Sequence, residues 1–213
     1  MRSILGLGLG ALLLGVLSGC SGTTQQAGAL FTPLPKPTAQ LDSESAQVYV
    51  LDPRKGVSTR RRFETPFVSL PGMHDERPLA VSARAKQRVV DALSRVVLRV
   101  SNERLYFEVQ IVEAQAGWRA HWTTEEAYAS TALRICVMDG LDHTGLLTNN
   151  VTGWAYRWSA DVTDHESADL LDAAVVDTWT RWLRTDRAID AINRKLDEKH
   201  RTGSVPEVER CSR

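Results

Sequence analysis

Histidine and carboxylate side chains cluster at three places in the sequence, and these residue types bind divalent metals or transfer protons. The clusters are His74-Asp75-Glu76, Asp139 with Asp142-His143, and Asp161 with Asp164-His165-Glu166. His165-Glu166 lacks the second histidine of the zinc-protease helix, and the segment at Asp139 lacks the calcium-loop order of acids and glycine. Aspartate is also favoured in loops and caps for its backbone hydrogen bonds. The sequence therefore predicts no metal site.

The sequence has no motif of a nucleophilic active site or of a nucleotide-binding site. It contains no Gly-x-Ser-x-Gly elbow and no phosphate-binding glycine loop. Cys136 falls in the middle of a predicted strand rather than at a helix N-terminus, where a thiolate would be stabilised. We therefore expect a protein that is not an enzyme and has no catalytic residue and no cofactor.

Six tryptophans come in three pairs: Trp118 with Trp122, Trp154 with Trp158, and Trp179 with Trp182. Even spacing predicts that each of the first two pairs lies on one face of a strand, whereas the third pair lies one helical turn apart. Such rings either form a groove for acyl chains, glycan rings or a partner's apolar side chains, or fill an ordinary core. We expect Trp179 and at least one strand pair to lie in the core. The four strand tryptophans are the candidates for an exposed binding patch.

Arg60-Arg61-Arg62 is the strongest local excess of positive charge. Arginine suits bidentate contacts with the phosphates of phospholipid or lipopolysaccharide. A charged run is more often a solvated loop, and the nearby acids Glu64, Asp75 and Glu76 offset this one. The three arginines are therefore further candidates for the binding patch, with a solvated loop as the alternative.

Two cysteines, Cys136 and Cys211, lie far apart in the sequence. In an oxidising compartment, a disulfide between them would pin the C-terminal tail to the domain. The alternative is a small buried Cys136 and a free thiol at Cys211 on a loose tail. A disulfide requires the two α-carbons to come within about 7 Å, which the sequence does not reveal, so both alternatives stay open.

Alternating and β-prone residues predict strands at 46–51, 105–111, 118–122, 133–138 and 152–160. Gln115-Ala116-Gly117 predicts the turn between the second and third of these strands, and Asp139-Gly140 ends the fourth. The proline- and glycine-containing stretch 54–78 is predicted to be irregular.

Apolar residues at three- and four-residue spacing predict helices from the N-cap Ser82 to about Asn102, from Ser167, and from Asp186 to Gly203. The order is strand, helix, several antiparallel strands, then helix. It predicts an α+β domain, in which a mostly antiparallel sheet of about four strands has two main helices packed on one face.

The charges balance, with 26 Lys+Arg against 26 Asp+Glu. This balance gives no reason to expect a polyanion as the main partner, so nucleic acid is disfavoured. Arg2 and the apolar stretch 4–17 are typical of a secretory signal, because the stretch is too short to span a bilayer comfortably.

The segment Leu17-Ser18-Gly19-Cys20 directly follows this stretch and resembles the lipobox of bacterial lipoproteins. The resemblance implies that the signal is cleaved before Cys20, that the Cys20 thiol is lipidated and that the new amino terminus is acylated. More than one acyl chain gives stable membrane attachment. Because Ser21 rather than Asp follows, the resemblance also implies transport to the outer membrane, with the domain facing the periplasm.

The domain resembles the small YajG-like envelope lipoproteins in its order of elements. The residues that carry this resemblance are Trp154-Ala155-Tyr156, Asp172-Ala173-Ala174-Val175 and Asp186-Arg187-Ala188-Ile189. The resemblance implies a non-enzymatic envelope role and transfers no site residues.

The sequence thus predicts a signal peptide over 1–19, a lipidated cysteine with a flexible, proline-containing tether over 20–45, one domain over 46–200 and a tail over 201–213. We expect a lipid-anchored periplasmic binding protein that engages another envelope protein. One alternative is a lipid-handling component of an envelope transport system, in which the tryptophans line a groove for a lipid ligand. A more distant alternative is a hydrolase that uses an acid–histidine cluster. The partner's identity and the oligomeric state do not follow from the sequence.

Overall fold

The computed structural model describes residues 46–63, 69–93, 105–159 and 166–203. In chain order the elements are β1 (Ala46–Leu51), β2 (His74–Pro78), α1 (Ala83–Leu93), β3 (Leu105–Ala120), β4 (Glu125–Asp139), β5 (Gly145–Ser159), α2 (Glu166–Leu183) and α3 (Asp186–Thr202). Within these ranges three helices pack against a five-stranded, mostly antiparallel open sheet. The predicted α+β class is therefore confirmed.

Three long strands form the centre of the sheet as an antiparallel meander, in which β3 pairs with β4 and β4 pairs with β5. The other edge of β3 is shared by two short strands. β1 runs parallel to the first part of β3, and β2 runs antiparallel to its last part. The described sheet therefore has the order β1-β3-β4-β5, with β2 beside β3.

The helices cover one face of this sheet, which we call the helix face, and the core lies between the two layers. Large, fully or almost fully buried side chains of this core are Phe107, Val109, Ile111, Leu133, Ile135, Val137, Leu171, Val175, Trp179 and Ile192. Burial of an aliphatic or aromatic side chain of this size contributes about 1.5–3 kcal/mol. We call the opposite side of the sheet the open face.

The predicted turn at Gln115-Ala116-Gly117 is wrong, because β3 runs through these residues. The hairpin turn follows at 121–124, where the His121 N–H donates to the Thr124 carbonyl over 2.8 Å. A register shift between Ile111 and Glu113 inserts one extra residue into β3. Such a bulge reverses which residues face the core, so the alternation in the sequence is interrupted at this point.

Three further strands differ from the prediction. β4 begins at Glu125 rather than at 133. β5 begins at Gly145 rather than at 152, since Asn149 and Asn150 pair with β4. β2 lies in the stretch 54–78, for which an irregular structure is the prediction. Its five residues alternate between exposed and half-buried positions, and its pairing with β3 defines it as a strand.

The predicted helix starts agree closely with the structure. The Ser82 Oγ accepts a hydrogen bond from the Ala85 N–H over 3.0 Å, so Ser82 caps α1. α2 begins one residue before the predicted Ser167, and α3 begins at the predicted Asp186. The predicted continuation of the first helix towards residue 102 lies outside the described residues.

The end of α3 also agrees with the prediction. Gly203 has a φ of 70°, in the left-handed region that glycine adopts without strain, and its N–H donates to the Lys199 carbonyl over 2.8 Å. In the part of the chain that the structure describes, none of the helices combines the length and the apolar character needed to cross a membrane.

Candidate binding face

The six tryptophans divide between the core and the surface. Trp118, Trp179 and Trp182 are buried, so the prediction for Trp179 is confirmed. The prediction that at least one strand pair lies in the core is wrong, because Trp122 and Trp154 are exposed. The Trp179 and Trp182 rings stack with centroids 5.3 Å apart, and the Trp179 Nε1–H donates to the Val89 carbonyl over 2.8 Å. These three rings therefore act in packing rather than in binding.

The predicted pairing of Trp118 with Trp122 on one strand face is wrong. β3 ends at Ala120, so Trp122 lies in the following turn and its side chain is 88% exposed. Trp154 and Trp158 do share a face, because β5 continues through both residues. Trp154 is 61% exposed and Trp158 is half-buried.

A shallow cleft of about 420 Å³ on the open face collects most of these exposed aromatic rings, and we call it the aromatic cleft. Its lining residues are Arg119, Glu126, Tyr128, Ala129, Ser130, Trp154, Ala155, Tyr156 and Trp158. The rings of Trp154 and Tyr156 are almost parallel, at 10°, with centroids 5.2 Å apart. The cleft is therefore built on the end of the open face where β3, β4 and β5 lie side by side.

Polar groups stand among these rings. Glu126 Oε2 lies 3.4 Å from the His121 Nε2, and the His121 ring lies 4.6 Å from the Trp158 ring. The Arg119 guanidinium lies over the Tyr128 ring at 5.5 Å. The cleft therefore combines apolar ring surface with a cation, a carboxylate and hydroxyl groups.

Tyr128 is held by its neighbours. Its hydroxyl donates to Glu76 Oε2 over 3.2 Å. Partial burial and the adjacent Glu76 carboxylate raise the pKa of Tyr128 above its usual value, since both disfavour the phenolate. The phenol therefore remains a hydrogen-bond donor throughout the physiological pH range.

Gly117 allows the Tyr128 ring to lie against the backbone of β3. A Cβ at Gly117 would come within 2.9 Å of the Tyr128 Cζ and within 2.5 Å of the Asp75 carbonyl oxygen. Because Gly117 and Tyr128 are cross-strand partners, the missing side chain leaves room for the ring. Gly117 thus helps to shape the floor of the aromatic cleft.

The basic segment is not brought to this cleft. The Arg61 guanidinium donates to the Ala168 carbonyl over 2.8 Å and pairs with Asp172 at 2.9 Å, both in α2 on the helix face. Arg60 and Arg62 are exposed next to it. The part of the predicted patch that contained Arg61 is therefore separated from the aromatic rings by the sheet.

The acid–histidine cluster at the end of β4 also has structural contacts. Lys199 from α3 forms ion pairs with Asp139 and, at 2.7 Å, with Asp142. Hydrogen bonds from Lys199 and Thr144 lower the pKa of Asp142 to about 2. His143 has a φ of 57° and packs edge-on against Tyr106 at 5.9 Å. These contacts join the β4–β5 loop to α3.

In the other two acid–histidine clusters, the described side chains do not come together as a set of metal ligands. His74 Nδ1 lies 3.2 Å from the Gly72 carbonyl oxygen, and residues 161–165 of the third cluster lie outside the described ranges. Among the described residues, no group of three or more His, Cys, Asp or Glu side chains could hold a metal ion.

Cys136 is disulfide-bonded and buried on the open face. Its predicted partner Cys211 lies outside the described residues, as does the predicted lipidation site Cys20. The pairing of Cys136 with Cys211 therefore stays a prediction.

Sequence reasoning missed several residues of the aromatic cleft. Tyr156 could have been found, because Trp154, Tyr156 and Trp158 alternate along one strand. Arg119, Tyr128 and Ser130 have no comparable signal, since they reach the cleft through the register of β3 with β4 and of β4 with β5. That register depends on a turn whose predicted position is wrong.

Comparison with known proteins adds little to this geometry. No protein-family model and no curated protein match the chain. Among solved structures, the chain is similar to a "putative lipoprotein" from Caulobacter crescentus CB15, with 12% identity over 53% of this chain and 80% of the other, and a TM-score of 0.31. The resemblance to YajG-like lipoproteins stays a prediction.

Proposed function

We propose that this chain is a lipid-anchored protein of the bacterial outer membrane, whose periplasmic domain binds another envelope protein and catalyses no reaction. The lipobox-like segment ending at Cys20 supports the anchor and the location. Support for binding comes from the sheet, and in particular from its edge strand β5.

The outer edge of β5 is the observation that carries this proposal. β5 pairs with β4, and no described strand pairs with its other edge. Its 15 residues would extend about 50 Å at the usual rise per residue. Asn150 and Thr152, on the open face of the strand, are exposed beside it. This edge therefore offers a long run of backbone donors and acceptors to a partner.

The composition of β5 distinguishes it from a protected edge. Natural sheets protect edges with lysines, prolines, bulges or short strands. β5 contains one charged residue, Arg157, and no proline, and its register with β4 is regular from Leu147 to the end of the strand. Addition of a strand from another protein would satisfy this edge through main-chain hydrogen bonds.

Two observations favour protein binding over the alternatives. Three of the six tryptophans, which a lipid groove could have used, are packed in the core, and the aromatic cleft is open and contains charged groups. The carboxylates of Asp139 and Asp142 are engaged by Lys199, which makes this cluster a poor hydrolytic site. These contacts support a binding role without catalysis.

A matched pair of lysine substitutions tests this proposal. A benzophenone amino acid at Asn150 in the full chain captures the partner in the bacterial envelope, and mass spectrometry identifies it. Thr152→Lys places a charge on the edge and should abolish this crosslink and co-purification of the same protein. Thr123→Lys, in the exposed β3–β4 turn, should leave both unchanged.

The proposal is contradicted if Thr152→Lys and Thr123→Lys give the same crosslink yield in folded protein. It is equally contradicted if the photoreactive residue captures nothing at Asn150. Circular dichroism of both variants confirms that the comparison concerns binding rather than folding.

A further inference from the structure

The aromatic cleft lies on the open face, whereas the surface of the proposed protein contact is the outer edge of β5. Addition of a strand to this edge would therefore not occupy the aromatic cleft. The cleft has three properties that restrict what it can bind: its ring geometry, its polar groups and its size.

The first property is a flat apolar surface that remains in water. Tyr156 stacks along one side of the Trp154 indole, and Trp154 nevertheless keeps 61% of its surface exposed. Removing a large aromatic ring from water contributes about 1.5–3 kcal/mol, so a ligand that covers this ring gains part of that free energy. A ligand with a flat face of C–H groups can cover this indole.

The second property is a mixture of donors and acceptors beside the rings. Arg119 supplies an exposed guanidinium, Glu126 a carboxylate, and Ser130 a hydroxyl group, all of which line the same cleft. An acyl chain would take these groups out of water and offer them no hydrogen bond in return, which is costly. A phosphate group would meet the carboxylate of Glu126, which lines the cleft. A neutral ligand with many hydroxyl groups can use both the cation and the carboxylate.

The third property is size. At about 420 Å³, the cleft falls within the range of sites that hold small ligands, and it opens to solvent along the sheet. An open cleft of this kind can hold one or two units of a longer chain. A pyranose ring combines a C–H face with equatorial hydroxyl groups and so satisfies all three requirements.

We infer that the aromatic cleft is a glycan-binding site, in which a pyranose ring stacks on Trp154 and its hydroxyl groups form hydrogen bonds with Arg119, Glu126 and Ser130. Tyr128, fixed over Gly117 by its hydrogen bond to Glu76, forms the floor beneath the sugar. This site would allow an envelope protein to hold a neutral polysaccharide chain independently of its protein partner.

Isothermal titration calorimetry of the full chain in detergent tests this inference, with the tetramer of β-1,4-linked N-acetylglucosamine and cellotetraose as probes. We expect saturable binding of at least one probe. Binding of the N-acetylated probe alone indicates an amino-sugar polymer such as a cell-wall glycan, and binding of cellotetraose indicates a plain hexose polysaccharide. Failure of both probes to bind overturns the inference.

Two tryptophan variants supply the matched control. Trp154→Ala should weaken binding at least about tenfold, since the stacked surface is lost. Trp122→Ala removes another exposed indole, one that does not line the cleft, and should leave the affinity unchanged. Equal affinity of the two variants would overturn the inference. Glu126→Gln keeps the shape of the cleft and should weaken binding less than Trp154→Ala.

The edge variant Thr152→Lys separates this inference from the proposed protein contact. It should lose the protein partner and keep its affinity for the glycan probe. If glycan binding fails while the crosslink at Asn150 persists, the glycan inference alone is wrong. A third outcome is that the wild type binds no glycan and that Trp154→Ala loses the crosslinked protein. This outcome would assign the cleft to the protein partner instead.

Discussion

Gly153 and Thr178 determine how closely α2 lies on the sheet. A Cβ at Gly153 would overlap the Thr178 Oγ1 and would come within 3.0 Å of the Thr178 Cβ. The Thr178 hydroxyl donates to the Ala174 carbonyl over 2.7 Å, which fixes its position within the helix. Gly153 and Ala155 are buried on the helix face, whereas Trp154 between them points to the open face. The helix therefore rests directly on the backbone of β5, behind the aromatic cleft.

We expect Gly153→Ala to destabilise the domain by about 1–3 kcal/mol, because the added methyl group must displace α2. Adding Thr178→Ala to Gly153→Ala should recover part of this loss, since it removes the hydroxyl that the methyl group meets. Urea denaturation of both single variants and the double variant measures the coupling. Simple additivity of the two single losses would contradict this account of the contact.

At the scale of the elements, the ion pair of Arg61 with Asp172 joins the segment before Phe63 to α1 and α2. Asp172 in α2 accepts hydrogen bonds from the Arg61 guanidinium and from the Ser82 N–H at the start of α1. Arg61 also donates to the Ala168 carbonyl in the first turns of α2. The segment before Phe63 is therefore fixed to both helices by one half-buried ion pair.

We expect Arg61→Ala to lower the free energy of unfolding by about 1–3 kcal/mol, because it leaves Asp172 without its charged partner. Arg62→Ala, at the exposed neighbouring position, should change it by less than about 0.5 kcal/mol. Urea denaturation compares the two variants. Equal stability of both, together with a loss of phosphate binding in each, would restore the segment as a binding patch.

Across the whole molecule, the disulfide at Cys136 links β4 to a part of the chain outside the described residues. Lys199 ties the end of α3 to Asp139, three residues from Cys136. Cys211 follows Gly203 by eight positions, and an extended segment of this length reaches at most about 29 Å. Because this segment starts next to the Lys199–Asp139 contact, Cys211 is the expected partner of Cys136.

We predict that peptide mapping of the full chain without reductant finds Cys136 linked to Cys211. Reduction of this bond should lower the stability of the domain by about 2–4 kcal/mol. A Cys136–Cys20 peptide would contradict both this pairing and the predicted lipidation of Cys20. A free Cys136 thiol in the exported protein would contradict the disulfide itself.

Elements with strong local signals were predictable. β1 has the predicted bounds, Ser82 caps α1, and α3 begins at Asp186, because alternation, capping chemistry and helical periodicity depend on residues close in sequence. The predicted turn divides β3 in two, since the bulge after Ile111 shifts the alternation of apolar residues. β2 has no apolar pattern and becomes a strand only through its pairing with β3.

Which side chains form the candidate sites depended on contacts between residues far apart in the sequence. Residue type and spacing alone established the α+β class, the helix starts and the pairing of Trp154 with Trp158 on one strand face. Tertiary structure decided that Trp118 is buried, that Trp122 lies in a turn, that Arg61 binds α2 and that Tyr128 joins the aromatic cleft. The reason is physical: periodicity shows which residues share a face, but exposure depends on which distant elements pack against that face.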